Sequence, residues 1–78
     1  MDIFEMICEK AFRSRAGKTV ILRVYDDRVE VTGDFFTTDD NLAKIESYLS
    51  MLEKPDNVFI LGVEVDELYE KVLECVKK

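Results

Sequence analysis

Hydrophobic and polar residues alternate along two neighbouring stretches of the chain, 19–25 and 28–34. Alternation with a period of two is typical of a half-buried β-strand, and Asp26-Asp27 between the stretches favours a turn. The pattern therefore predicts an antiparallel hairpin with one apolar face. The predicted core positions on that face are Val20, Leu22, Val24, Val29 and Val31.

Two later stretches carry apolar residues three and four positions apart, which marks one face of an α-helix. The first predicts a helix over about 39–53, stopped by Pro55, and the second predicts a helix over about 66–77. The inward positions are Leu42, Ile45, Leu49 and Leu52 in the first helix, and Leu68, Val72, Cys75 and Val76 in the second.

Two stretches allow more than one interpretation. Apolar residues near the N-terminus have helical spacing, which predicts an amphipathic helix over about 2–13, although 10–14 is also compatible with an edge strand. The apolar run 58–61, which ends at Gly62, is predicted to be a third strand of the sheet or a buried extended segment.

These elements place the chain in the α+β class, as a single domain over residues 1–78. A small antiparallel sheet is expected to pack against two or three helices. A chain of 78 residues buries only about 60% of its unfolded surface, so its core is small. We therefore expect additional stabilisation, for example from docking onto another protein.

Charge and composition narrow the classes of function. A net charge of −6 argues against nucleic-acid binding, which needs clustered Lys and Arg. The sequence has neither a basic signal peptide nor an apolar run long enough for a membrane span, so we expect a cytoplasmic protein.

Two cysteines, Cys8 and Cys75, lie near opposite ends of the chain, and the sequence has no histidine. Zinc ligation is not expected from this composition, and two reduced, half-buried thiols are the default for a cytoplasmic protein. The sequence leaves open whether the two cysteines approach each other, and a thiol switch between them is one functional hypothesis.

Motifs that suggest chemistry have simpler explanations. Gly17-Lys18-Thr19 matches the tail of a phosphate-binding P-loop, but the earlier glycine is missing and a strand follows where a helix is needed. Asp34, Asp39 and Asp40 are better explained as turn and helix-capping residues than as cation ligands. We therefore expect no catalytic residue and no metal site in this chain.

The hairpin ends in the segment Gly33-Asp34-Phe35-Phe36, which we call the GDFF corner. Glycine suits a bend or a close backbone approach at the end of a strand. Two adjacent phenylalanines on extended backbone point to opposite sides, so one can enter the core while the other is left for the surface or a partner.

The order of these motifs resembles the small C-terminal accessory domain of lipoate–protein ligases. The shared features are the Gly17-Lys18 loop, the hairpin, the GDFF corner and the helix that follows it, together with the stretch 61–68 before the last helix. The resemblance covers about Lys10 to the C-terminus and does not account for the predicted first helix. It implies the separate small subunit of a two-piece, archaeal-type lipoate–protein ligase.

The resemblance implies a function in a complex rather than alone. A catalytic subunit would bind lipoate, ATP and Mg²⁺, form lipoyl-AMP and transfer the lipoyl group to a lysine of lipoyl domains or of the glycine-cleavage H protein. This chain would be its heterodimer partner, required for the adenylation step, with no cofactor of its own. Its acidic charge would steer it toward a basic face on the catalytic subunit.

The residues expected at the partner interface, or at the closing edge of the active site, are Gly17, Lys18 and the GDFF corner, that is Gly33, Asp34, Phe35 and Phe36. A domain without its own acid or base can still accelerate a reaction by excluding water and completing a site. The alternative hypothesis is a self-associating interaction or regulatory module, which has no role in adenylation.

Overall fold

The computed structural model describes residues 6–76. They form a three-stranded antiparallel sheet and two helices, which is the α+β architecture expected from the sequence. The elements are β1 (Met6–Arg13), β2 (Thr19–Tyr25), β3 (Val29–Gly33), α1 (Asp39–Ser50) and α2 (Val65–Val76). No helix within residues 6–76 is long and apolar enough to cross a membrane.

The sheet has the order β1-β2-β3, so β2 is its central strand. The predicted hairpin is confirmed: Val20 lies opposite Gly33 and Val24 lies opposite Val29. The five valine and leucine positions that were predicted to face the core are at most 3% exposed. Both helices cover this face, and the core includes Ile45 and Leu49 of α1 and Leu68, Val72 and Cys75 of α2.

The predicted N-terminal helix is wrong for every residue of it that the structure describes. Met6–Arg13 is strand β1, which pairs with β2 and extends beyond the edge strand considered for 10–14; residues 2–5 lie outside the described part. Its inward side chains are Cys8, Lys10 and Phe12, and the charged Lys10 conceals the period of two. Strand pairing and packing against α2 outweigh the local helical spacing.

The third strand is therefore β1, not the run 58–61. That run is extended and makes one isolated bridge, between Leu61 and Phe36. Helix α1 ends at Ser50 rather than at residue 53, because Leu52 adopts a positive φ of 59° that a helix cannot continue. As a result Leu52, which was expected to be inward, is 46% exposed.

A disulfide joins Cys8 of β1 to Cys75 of α2, with a Cα–Cα distance of 5.5 Å. The default of two reduced thiols is thus wrong in this structure. The bond closes a loop with a sequence separation of 67 and fixes the edge strand to the last helix. Cross-linking a loop of that size removes entropy from the unfolded chain worth about 4 kcal/mol.

Reduction of this disulfide is expected to lower the free energy of unfolding by up to about 4 kcal/mol. The measurement is denaturant unfolding of the wild-type chain with and without reductant, beside the double variant Cys8→Ala/Cys75→Ala. The variant should match the reduced wild type and should not respond to reductant. Equal stability of the oxidised and reduced wild type would contradict a stabilising role.

The outer edge of β3 is closed by helix α1. The carboxylate of Glu46 accepts a hydrogen bond from the backbone N–H of Val31 at 3.0 Å, which would otherwise be an unpaired donor on the sheet edge. Partial burial raises the pKa of Glu46, and this effect exceeds the lowering by the Val31 hydrogen bond; the nearby charge of Glu30 adds to the increase.

Because the pKa of Glu46 is higher in the folded state than in the unfolded chain, folding takes up a proton between the two values. Its contribution to stability is present below the ordinary glutamate pKa and is lost as the pH rises through the raised value. Glu46→Gln should remove this dependence, so wild type should gain stability over the variant as the pH falls from about 7 to 4. Glu70→Gln, at an exposed position, is the control, and parallel pH curves for wild type and Glu46→Gln would refute the assignment.

Candidate functional site

Three segments meet at the end of the sheet where β1 passes into β2. They are the loop 14–18, the GDFF corner and the segment 59–62 before α2, and together we call them the loop cluster. The structure thus brings together the two stretches, Gly17-Lys18 and Gly33–Phe36, that the sequence analysis selected. The disulfide lies at the opposite end of the sheet.

Gly33 brings the GDFF corner against the start of β2. A Cβ atom at this position would lie 2.3 Å from the carbonyl oxygen of Thr19 and 3.0 Å from the Cα of Val20, and φ is +152°. The same Thr19 oxygen accepts a hydrogen bond from the Asp34 N–H at 2.9 Å. Only glycine permits this close approach, which starts the turn away from β3.

Backbone hydrogen bonds then connect the GDFF corner to the segment 59–62. The N–H of Phe36 donates to the Leu61 carbonyl at 2.9 Å, and the N–H of Leu61 donates back at 2.8 Å. At Gly62 a Cβ would meet the Cγ of Lys18 at 3.1 Å and the Cα of Phe35 at 3.3 Å. Gly62 therefore lies in the contact between the Lys18 loop and the corner.

Ser14 and Glu67 attach the loop 14–18 to the start of α2. The Ser14 hydroxyl, which is 4% exposed, donates to the Gly62 carbonyl and accepts from the Lys18 N–H at 3.1 Å. The buried carboxylate of Glu67 accepts from the Arg15 N–H at 3.0 Å and from the Glu64 N–H at 3.3 Å. The second of these bonds caps the helix from its third position.

The two phenylalanines of the corner point in different directions, as their extended backbone predicts. Phe35 is half-buried against the core, whereas Phe36 is 65% exposed. Leu61, the bridge partner of Phe36, is 54% exposed, and Phe59, two residues earlier on the extended segment, is 46% exposed. Bridge partners and alternate residues share a face, so these three side chains form one apolar surface, the Phe36 patch.

Polar groups of the candidate residues border this patch. Lys18 is exposed, and its ammonium group makes no hydrogen bond or ion pair with any residue in the described part of the chain. The carboxylate of Asp34 also makes no hydrogen bond or ion pair within residues 6–76. It does not cap helix α1, because the cap is Thr38, whose hydroxyl accepts from the Asn41 N–H at 3.2 Å. Gly17 forms the turn and donates its N–H to the Ser14 carbonyl at 2.8 Å.

Several residues that build this surface were not expected from the sequence. Ser14 was considered as the end of a possible edge strand, and Gly62 as the end of the run 58–61. Phe59 and Leu61 belonged to that run, which was expected to be a third strand or a buried extended segment. The signal in the sequence was the run itself, because four consecutive apolar residues on extended backbone cannot all face one core. The contact between Ser14 and Gly62 spans 48 positions and has no local signal.

The loop cluster combines exposed apolar side chains with charged groups. Within residues 6–76, no group of three or more Asp, Glu or Cys side chains is arranged to hold a metal ion. Beside the apolar patch lie the Lys18 ammonium group and the Asp34 carboxylate, neither of which makes an ion pair within residues 6–76, and the Arg15 guanidinium, which pairs with Glu64 at 3.0 Å. Such a surface can bury apolar area against a partner and orient it by charge.

Comparison of this chain with protein-family models, with curated protein sequences and with solved structures found no match.

The close approach at Gly33 gives a test of how the loop cluster is held. Gly33→Ala should lower the free energy of unfolding by about 3 kcal/mol or more, because the new Cβ collides with backbone atoms that cannot move independently. Gly17→Ala is the matched control: its φ is also positive, at +87°, but no atom lies within 4 Å of the new Cβ. It should cost only about 1 kcal/mol. Equal losses in denaturant unfolding would contradict the steric argument.

Proposed function

We propose that this chain is the non-catalytic small subunit of a two-subunit lipoate–protein ligase. In this proposal it forms a heterodimer with a catalytic subunit, which holds lipoate, ATP and Mg²⁺, and it is needed for the formation of lipoyl-AMP. The lipoyl group then passes to a lysine of a lipoyl domain or of the glycine-cleavage H protein. The chain contributes surface and geometry, not a reacting group.

One observation carries the proposal: the stretches on which the resemblance depends lie together in space. The Gly17-Lys18 loop, the GDFF corner and Leu61-Gly62 are separated in sequence but are in direct contact, through the Phe36–Leu61 hydrogen bonds and the close approach of Gly62 to Lys18. A motif whose parts come together at one surface fits a shared binding role better than unrelated turn functions.

The exposure of the Phe36 patch agrees with a subunit that closes a site on its partner. Three large apolar side chains on one small surface disfavour contact with water, and burying them against another protein removes that cost. Lys18 beside the patch supplies an exposed positive charge that can meet a phosphate or an acidic side chain on the partner. Closure of this kind excludes water from an adenylation site.

The disulfide bears on the cellular location in this proposal. Stable disulfides are rare in the cytoplasm of most cells, but they are common in intracellular proteins of hyperthermophiles. A cytoplasmic ligase subunit with an intact Cys8–Cys75 bond therefore fits a cell of that kind.

The direct test is pyrophosphate release from ATP and lipoate by the catalytic ligase subunit of the same genome, with and without this chain. We expect release only when both chains are present, together with co-elution of the two in gel filtration. No stimulation and no co-elution would overturn the proposal and favour the self-associating module.

Variants of the loop cluster make this test specific for the surface. Phe36→Ala should weaken the heterodimer by about 2 kcal/mol, or roughly thirtyfold, and leave the stability of the chain nearly unchanged because the side chain is 65% exposed. Lys18→Ala should reduce pyrophosphate release without unfolding the chain. Met51→Ala is the control, since Met51 is 56% exposed at the far end of α1. Equal effects of Phe36→Ala and Met51→Ala on heterodimer affinity would mean that the loop cluster does not lie at the interface.

A further inference from the structure

The outer edge of β1 is a second surface, on the other side of the molecule from the edge that α1 closes. In the β2–β3 pair, the Asp34 N–H donates to the Thr19 carbonyl. Backbone groups alternate in direction along a strand, so the odd-numbered residues of β2 form their hydrogen bonds with β3 and the even-numbered residues form theirs with β1. Through the register of β1 on β2, the backbone groups of Glu9, Ala11 and Arg13 point away from the sheet. Within residues 6–76 nothing bonds to them, whereas Glu46 occupies the corresponding site on β3.

An open edge strand of this length is a template for another strand. We propose that β1 pairs antiparallel with β1 of a second copy of this chain, which joins two sheets into one continuous six-stranded sheet. The strand pairing does not depend on the ligase function, because it concerns the edge of β1 and the chain alone; the two surfaces meet where the Arg13 guanidinium donates to the Gly17 carbonyl at 3.2 Å.

The charge pattern on the exposed face of the sheet favours a second copy of this chain as the source of the strand that pairs with β1. Glu9, Arg23 and Glu30 lie side by side on the three strands, and the Glu9 carboxylate accepts from the Arg23 guanidinium at 2.8 Å. The charges alternate across the sheet, and the row ends at Glu9 on the open edge. A positive residue on an added strand would continue it.

One register of the pair provides that residue on both sides of the two-fold axis. With Ala11 opposite Ala11 of the second copy, Glu9 of each chain lies opposite Arg13 of the other. The backbone groups of all three residues then face each other and can form hydrogen bonds. The Ala11 side chains at the axis lie on the exposed face, where a small or a β-branched pair can be accommodated.

The neighbouring registers are less favourable. A shift by two residues in one direction places Lys10 opposite Lys10, and a further shift places Glu9 opposite Glu9, so like charges meet at the axis. A shift in the other direction centres Phe12 and moves Glu9 toward Arg15, which lies in the turn after β1. The arrangement around Ala11 is therefore the one that matches charges and keeps the strand pairing.

Sedimentation of the full chain over about 10 to 500 μM is the first measurement, and we expect a reversible dimer in this range. Arg13→Glu or Glu9→Arg alone should weaken it by about tenfold or more, because both variants place like charges opposite each other twice. An equimolar mixture of the two variants should dimerise again, since one strand then carries two negative and the other two positive charges. A wild-type monomer throughout, or a dimer that neither variant weakens, would overturn the proposal.

A backbone variant tests the strand pairing without altering charge. Ala11→Pro removes an N–H that points outward and is not used within the sheet, and proline is tolerated on edge strands. It should abolish the dimer while circular dichroism shows a folded chain. Ala11→Val keeps the N–H and should retain the dimer. If Ala11→Pro is folded and still dimerises as the wild type does, the interface does not lie on β1.

Discussion

The structure depends on the burial of one face of the central strand β2. Val20 and Leu22 are fully buried and Val24 is 3% exposed, and the strands on both sides, with the two helices on one face, are needed to achieve this. A three-stranded sheet offers only one such strand, so each element has one principal place to pack. The loops that connect these elements are then held near one another, and this is the origin of the loop cluster at one end of the sheet.

Much of this arrangement could be predicted where local pattern and tertiary packing agree. The alternation in β2 and β3 is unbroken at the inward positions, and the apolar faces of the two helices are carried by Ile45 and Leu49 and by Leu68 and Val72. Strand β1 was predicted only as an alternative over 10–14, because a lysine among its inward residues hides the alternation. Lys10 lies there with its ammonium group 3.4 Å from the Glu74 carboxylate, an ion pair with α2 that no local rule anticipates.

In the candidate site, too, some features follow from local sequence and others depend on the tertiary fold. The opposite directions of Phe35 and Phe36 follow from adjacent residues on extended backbone, and the close approach at Gly33 follows from glycine at the end of a strand. The partners of these residues could not be predicted, because Leu61 and Gly62 reach the corner only after α1 has been placed. The sequence thus identifies Gly33 and the pair of Phe35 and Phe36 as positions with an unusual conformation or exposure, whereas the fold determines which residues they contact.

The exposed Phe36 patch and the disulfide both bear on the limited stability of a small domain: the patch reduces the apolar area that is buried, and the disulfide adds stability. Burying a large apolar side chain contributes about 1.5–3 kcal/mol, so a chain of 78 residues that leaves Phe36, Phe59 and Leu61 largely outside its core forgoes a substantial part of its stability. A bond that closes a loop with a separation of 67 contributes about 4 kcal/mol from the unfolded state, which offsets this loss without using the surface. Because Cys8 and Cys75 lie at the end of the sheet away from the loop cluster, the covalent stabilisation leaves the patch accessible. The bond therefore stabilises the fold while Phe36, Phe59 and Leu61 stay exposed at the other end of the sheet.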